Sequence, residues 1–96
     1  MNVVWTDVAQ KTHQNNLDYL LQEWPNQVLI NYIDELDQVI VRISNNPYLF
    51  PLYNKKKKIH KCVLNRNLTL YYQVLKGDVI LLLFWNTQQN PKLLKL

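Results

Sequence analysis

The 96-residue sequence predicts an α+β fold of order β-α-α-β-β-β. In this fold an N-terminal helical hairpin packs on a small, mostly antiparallel sheet. Three observations predict it. Two consecutive amphipathic segments, residues 7–24 and 26–44, meet at Trp24-Pro25. Two strand-like runs, residues 68–75 and 79–86, flank Lys76-Gly77-Asp78, which holds the only glycine of the chain. A further strand-like run, residues 59–64, precedes them, so three strands follow the helices as one meander.

Residues 1–5 read as a short strand. Thr6 or Asp7 then offers an N-cap oxygen. Val8, Ala9, Thr12, Leu17, Leu20, Leu21 and Trp24 recur at roughly helical spacing and form one apolar stripe, which Asn16 interrupts. Proline disfavours helical geometry in the residue before it, so Trp24-Pro25 ends this helix, and Pro25 can open the next. In the second helix Val28, Leu29, Tyr32, Ile33, Leu36, Val39, Ile40 and Ile43 form a cleaner stripe, with Asp34, Glu35, Asp37 and Gln38 on the wet side.

The connector at residues 45–51 contains Pro47 and Pro51, which forbid regular helix, and Tyr48, Leu49 and Phe50 are expected to anchor it to the core. Residues 54–58 make a basic approach to the strand at 59–64. There Ile59, Lys61 and Val63 share one face, and His60, Cys62 and Leu64 the other. Asn65-Arg66-Asn67 is a turn. In the next strand Leu68, Leu70, Tyr72 and Val74 share a face opposite Thr69, Tyr71, Gln73 and Leu75. The run at 79–86 is apolar on both faces and suits a central strand. The expected core includes Leu20, Ile33, Leu36, Val74, Leu81 and Leu83.

The length fits a single domain over residues 1–96. Apolar residues make up 48% of the chain and charged residues 19%, which favours folding over disorder. No apolar run nears the roughly 20 residues that cross a bilayer. The first residues lack a basic-then-apolar leader, so the expected location is cytoplasmic, with no membrane partner. The single cysteine, Cys62, cannot form an internal disulfide. No Cys/His set has metal-ligand spacing and no Gly-rich loop cradles phosphate, so neither metal nor cofactor is expected. The net charge of +4 permits an acidic partner or nucleic acid. Its distribution is uneven: six of the seven acids precede residue 40, and the bases cluster between Lys55 and Arg66.

Several joints carry a further signal. They are Trp5-Thr6 followed by Ala9, Tyr19-Leu20, and Asn46-Pro47 followed by Phe50-Pro51. Tyr72-Gln73-Val74 and Trp85-Asn86-Thr87-Gln88-Gln89-Asn90-Pro91 complete the set. In this order they resemble the RelE/ParE superfamily of bacterial type II toxin–antitoxin systems, across nearly the whole chain. The resemblance implies a growth-inhibiting toxin, of the kind associated with plasmid stabilization, neutralised by a small cognate antitoxin. RelE-like members are ribosome-dependent mRNA endonucleases with basic residues on the strands equivalent to 59–64 and 68–75 and an arginine after the last strand. ParE-like members lack that set and poison DNA gyrase. Here the corresponding strand positions hold His60, Cys62 and Thr69, and the arginine position holds Gln88 or Gln89. Glutamine cannot stabilise phosphorane charge as arginine does. The resemblance therefore implies a ParE-like toxin directed at gyrase. The alternatives are a variant RelE-like nuclease acting on ribosome-bound mRNA and a non-toxic, partner-binding member of the fold.

The candidate site residues follow from this. His60 is the candidate catalytic acid or base, weighed against an ordinary strand histidine. Lys58, Lys61, Arg66, Gln88 and Gln89 are the candidate target-binding residues. The four lysines at 55–58 could track a nucleic-acid backbone, receive an acidic antitoxin segment, or form a mobile solvated loop. Cys62 reads as a small buried hydrophobe and Trp85 as core. The expected free surface carries an apolar groove rimmed by positive charge.

Overall fold

Thr6 decides where the first strand stops. In the computed structural model, which describes residues 1–96, β1 spans Asn2–Trp5 and the helix α1 spans Asp7–Glu23. Between them the Thr6 hydroxyl accepts from the Ala9 amide at 3.1 Å, which makes Thr6 the N-cap. The same hydroxyl donates to the Leu81 carbonyl at 2.8 Å, so one side chain caps the helix and ties it to the sheet. Trp24-Pro25 breaks the chain, and α2 follows over Asn26–Asn45. The sheet strands are then β2 Leu52–Asn54, β3 Ile59–Asn65, β4 Leu68–Leu75 and β5 Asp78–Asn86, and a 3-10 turn covers Pro91–Leu93.

The five strands lie in the order β1-β5-β4-β3-β2. β1 runs parallel to β5 and every other pairing is antiparallel. The α+β order and the mostly antiparallel sheet stand as expected. The short strand β2 is an addition. Leu52 and Asn54 pair with His60 and Ile59 at the start of β3, and Leu52 and Tyr53 stay exposed, so no hydrophobic alternation marks it in the sequence.

The core forms between the helical layer and one face of the sheet. Leu68, Leu70, Tyr72 and Val74 face it from β4, Cys62 from β3, and Ala9, Tyr32, Leu36 and Ile43 from the helices. β5 contributes Val79, Leu81 and Phe84 rather than Leu83. Tyr72 pairs with Leu81 and Tyr71 with Leu83, which leaves Leu82 as an extra residue, a β-bulge. One inserted residue inverts which side chains point inward. Leu83 is thereby turned away and remains partly exposed. Two other expectations fail on the helices. Leu20 is only partly buried, and Ile33 is 38% exposed, because Tyr32 and Leu36 supply the inward row of α2.

The turns are tighter than the sequence suggests. Leu75 pairs directly with Asp78, so the hairpin loop is the two residues Lys76-Gly77, both at positive φ. That is the type I′ arrangement, matched to the twist of the flanking strands. Nothing lies within 4 Å of where a Gly77 Cβ would sit, so glycine is needed for conformation rather than space. The four lysines form an ordered turn. The Asn54 side chain accepts from the Lys57 amide, Gln73 donates to the Lys57 carbonyl at 2.7 Å, and Lys58 adopts positive φ.

The connector is held differently from expectation. Tyr48 and Leu49 are exposed. The Tyr72 hydroxyl instead donates to the Pro47 carbonyl at 2.8 Å, and only Phe50 of the three packs on the core.

His13 sits among aromatic rings, 5.2 Å from Trp5 and 5.3 Å from Phe84 by ring centroid. Burial holds its pKa below the ordinary 6.5, opposed by the charge of Asp37.

This packing sets three stability outcomes. Leu36→Ala removes a buried core side chain and should cost about 2–5 kcal/mol in denaturant unfolding. Thr12→Val should cost about 1–3 kcal/mol, because the Thr12 hydroxyl is the acceptor for the Phe84 amide at 3.0 Å. Lastly, the unfolded chain takes up the His13 proton before the folded chain does as pH falls. Stability should therefore begin to drop as pH falls through about 6.5, the ordinary histidine value, and His13→Phe should remove that component from the thermal-melt profile.

Candidate functional site

The expected site residues do not converge on one place. His60 lies on the core-facing side of β3 and is 4% exposed. Its Nδ1 donates to the Phe50 carbonyl at 2.7 Å, because a carbonyl can only accept. Its ring stacks on Tyr72 with centroids 5.0 Å apart and planes within 9°. Burial pushes the Tyr72 phenol up to about 12, against an opposing hydrogen bond from Phe50. These contacts make His60 a packing residue that pins the connector to the sheet. Lys61 is exposed on the opposite strand face, and Lys58 belongs to the lysine turn. Arg66 follows the far end of β3, six residues on from His60. At the ordinary strand rise that is about 20 Å away, so the two do not meet at one phosphate.

The other two positions matched to nuclease residues are also closed. Cys62 is 1% exposed, and burial pushes its thiol up to about 11, against the opposing charge of Arg42. Thr69 is 1% exposed and lies on the sheet face opposite to His60 and Cys62. Trp85, expected as core, pairs with Thr69 and is only partly buried.

Arg66 and Gln88 do come together. The Thr87 hydroxyl donates to the Arg66 carbonyl at 2.8 Å, and the Gln88 amide donates to Asn67 Oδ1 at 3.3 Å. Both Arg66 and Gln88 line a cavity of about 450 Å³ between the helical hairpin and the β3–β4 turn. Gln89 lines a second cavity, of about 420 Å³, between α1, β5 and the chain after Asn90. Leu20, Trp24, Val28 and Leu68 put apolar surface on the walls of the first cavity. Its rim carries one cation, Arg66, and one anion, Glu35, so it lacks the rim of positive charge expected of such a groove.

The helices add polar groups that the sequence did not single out. Asn16 and Tyr32 line the cavity, and neither the Asn16 Nδ2 nor the Tyr32 hydroxyl has a hydrogen-bond partner. Burial raises the Tyr32 phenol to about 12; Asn16 lies near enough to oppose that shift, although the two lack hydrogen-bond geometry. The only hint in the sequence was Asn16 itself, a polar residue breaking an apolar stripe. No cluster of three or more His, Cys, Asp or Glu side chains could hold a metal ion, and no helix is long and apolar enough to cross a membrane.

No protein-family model matches the sequence, and no curated protein matches it. Solved structures do. The structure titled "Chromosomal ParDE TA system from P. aeruginosa" superposes with a TM-score of 0.68 at 14% identity, covering 92% of this chain and 97% of that one. A copper-bound mutant toxin from Helicobacter pylori gives 0.64 at 20% identity, covering 91% and 94%. A YoeB/ParE toxin from Agrobacterium tumefaciens gives 0.62 at 10% identity, covering 90% and 98%. With two helices on a five-stranded mixed sheet, and near-complete coverage in both directions, the chain has the RelE/ParE-like toxin fold.

Proposed function

We propose that the protein is the toxin of a toxin–antitoxin pair, neutralised by a cognate antitoxin, and that it arrests growth by ParE-like action on DNA gyrase rather than by cutting mRNA. The fold supports the toxin reading, since the similar structures include a ParDE system and a YoeB/ParE toxin. One observation carries the choice against the nuclease. The positions where RelE-like enzymes place strand cations hold His60, Cys62 and Thr69, and all three are buried. His60 already commits its Nδ1 proton to Phe50, and Thr69 faces the other side of the sheet.

Cleavage by 2′-hydroxyl attack needs a base, an acid and a fixed positive charge at one phosphate. Arg66 is the one cation at the larger cavity, and no acid–base pair accompanies it. A preorganised set for turnover is missing, whereas a surface for binding is present.

Induced expression in a bacterial host tests this reading. The expected result is growth arrest with DNA-damage induction, intact ribosome-bound messages by primer extension, and inhibition in a gyrase supercoiling assay. His60→Ala should lose about 1–3 kcal/mol of stability by orphaning the Phe50 carbonyl, yet keep the arrest at permissive temperature. Codon-specific message cuts that disappear in His60→Ala would overturn the reading. Absence of any growth effect would favour the non-toxic, partner-binding alternative.

A further inference from the structure

We propose that the end of the sheet formed by the β2–β3 and β4–β5 turns binds the phosphate backbone of duplex DNA, without regard to base sequence. That the duplex is DNA rather than RNA rests on the gyrase-directed action proposed above; that the ligand is a duplex backbone rests on the surface itself.

Two turns distant in sequence meet there. The Lys58 carbonyl accepts from the Val74 amide at 3.4 Å, and Lys76 follows Val74 by two residues, at most about 7 Å of chain. Lys55, Lys56, Lys57, Lys58 and Lys76 are all exposed, and Lys61 is exposed on the outer face of β3 beside them. Six of the chain's eleven basic residues thus stand together. Asp78 is the one acid in the sheet; the other six lie on α1 and α2. Backbone conformation supplies a second, independent observation. The chain has two non-glycine residues at positive φ, and both belong to this cluster: Lys58 at 58° and Lys76 at 50°. A residue with a Cβ is strained in that region, and glycine or asparagine takes it more readily. Two separate turns each hold lysine where an uncharged residue would sit with less strain. Strain of this kind collects at functional positions. Charge at one end of the sheet is what the two exceptions have in common.

The surroundings of the lysines set the kind of anion. The cavities along α1, α2 and β5 include none of the six, so a ligand bound by them is held on a charged surface. An acidic protein segment, by contrast, draws most of its affinity from a few anchors in closed pockets. A single strand needs aromatic faces on which successive bases stack. Tyr53, two residues before Lys55, packs edge-to-face on Tyr71 with centroids 4.9 Å apart, and Tyr71 is 4% exposed. Tyr48 packs on His60, which faces away from Lys61. No row of open rings therefore lies along the lysines. Lysine is a compact point charge on a flexible stem, suited to repeated phosphates and to no particular base.

The test uses the intact protein and a fluorescein-labelled DNA duplex of about 20 base pairs, with anisotropy read from about 50 to 200 mM salt. Four to six lysine–phosphate contacts should make affinity fall about 10²- to 10³-fold over that range. A second duplex of unrelated sequence should bind equally. Lys58→Asn with Lys76→Asn should flatten the slope of log affinity against log salt by about 2. The same double variant should melt at or above the wild-type temperature, because asparagine accepts positive φ and Asn-Gly is the preferred pair for the β4–β5 turn. A purely structural role for these lysines would not lose binding while the fold holds. Lys55→Gln with Lys56→Gln, outside the strained positions, should flatten the slope by a similar amount. Lys11→Gln with Lys92→Gln should leave it unchanged. Tighter binding of a single strand, of an RNA duplex of the same length or of a hexaglutamate peptide would overturn the proposal. So would a wild-type salt slope in both lysine double variants, or no binding at about 50 mM salt. The assay contains no gyrase, so a failure here and a failure of the supercoiling assay are separate results.

Discussion

The half-paired edge of β5 is the constraint on which the rest of the structure depends. One edge of β5 is paired with β4 along the whole strand, but β1 covers only the four positions from Asp78 to Leu81 on the other. A buried backbone group without a partner is costly, so something must complete that edge. Two threonines do so. Thr6 donates to the Leu81 and Leu82 carbonyls, and Thr12 accepts from the Phe84 amide. Both lie at or near the start of α1, so satisfying the edge also fixes where α1 crosses the sheet. The bulge at Leu82 falls where β1 gives way to Thr6, and it turns Phe84 inward to meet Trp5 and His13. The position of the helical hairpin, and with it the cavity at its open end, descends from these few local hydrogen bonds.

Much of this was legible from the chain. The N-cap at Thr6, the break at Pro25, the glycine turn and the inward row of β4 are local features, each decided by a few adjacent residues. What escaped was non-local. The bulge at Leu82 depends on register between two strands that are both apolar, so no alternation announces it. β2 is held by pairing with β3 rather than by its own side chains. Of the connector's three apolar residues only Phe50 packs on the core, because hydrophobicity is not what holds the segment. The structure holds it by hydrogen bonds, from Tyr72 to Pro47 and from His60 to Phe50.

The site was half legible for the same reason. Arg66 and Gln88 stood out as polar residues in a turn and after the last strand, and they do meet. Asn16 and Tyr32 belong to helices whose stripes explain them as core. Only assembly of α1, α2 and the β3–β4 turn leaves their polar atoms without partners. His60 was the reverse case. Histidine chemistry invites a catalytic reading, but the period of two along β3 faces it to the core, where it stacks on Tyr72 and its Nδ1 donates to the Phe50 carbonyl.

The division of charge sharpens the distinction between binding and chemistry. The chain's acids gather on the helices, with Asp34, Glu35 and Asp37 on exposed positions of α2. The lysines gather in the β2–β3 turn, at the other end of β3 from Arg66. Arg66 thus stands apart from the lysine cluster, beside an acidic helix. A polyanion crossing the cavity would gain one guanidinium and face the carboxylates of α2. The layout of charge thus disfavours a polyanion at this cavity.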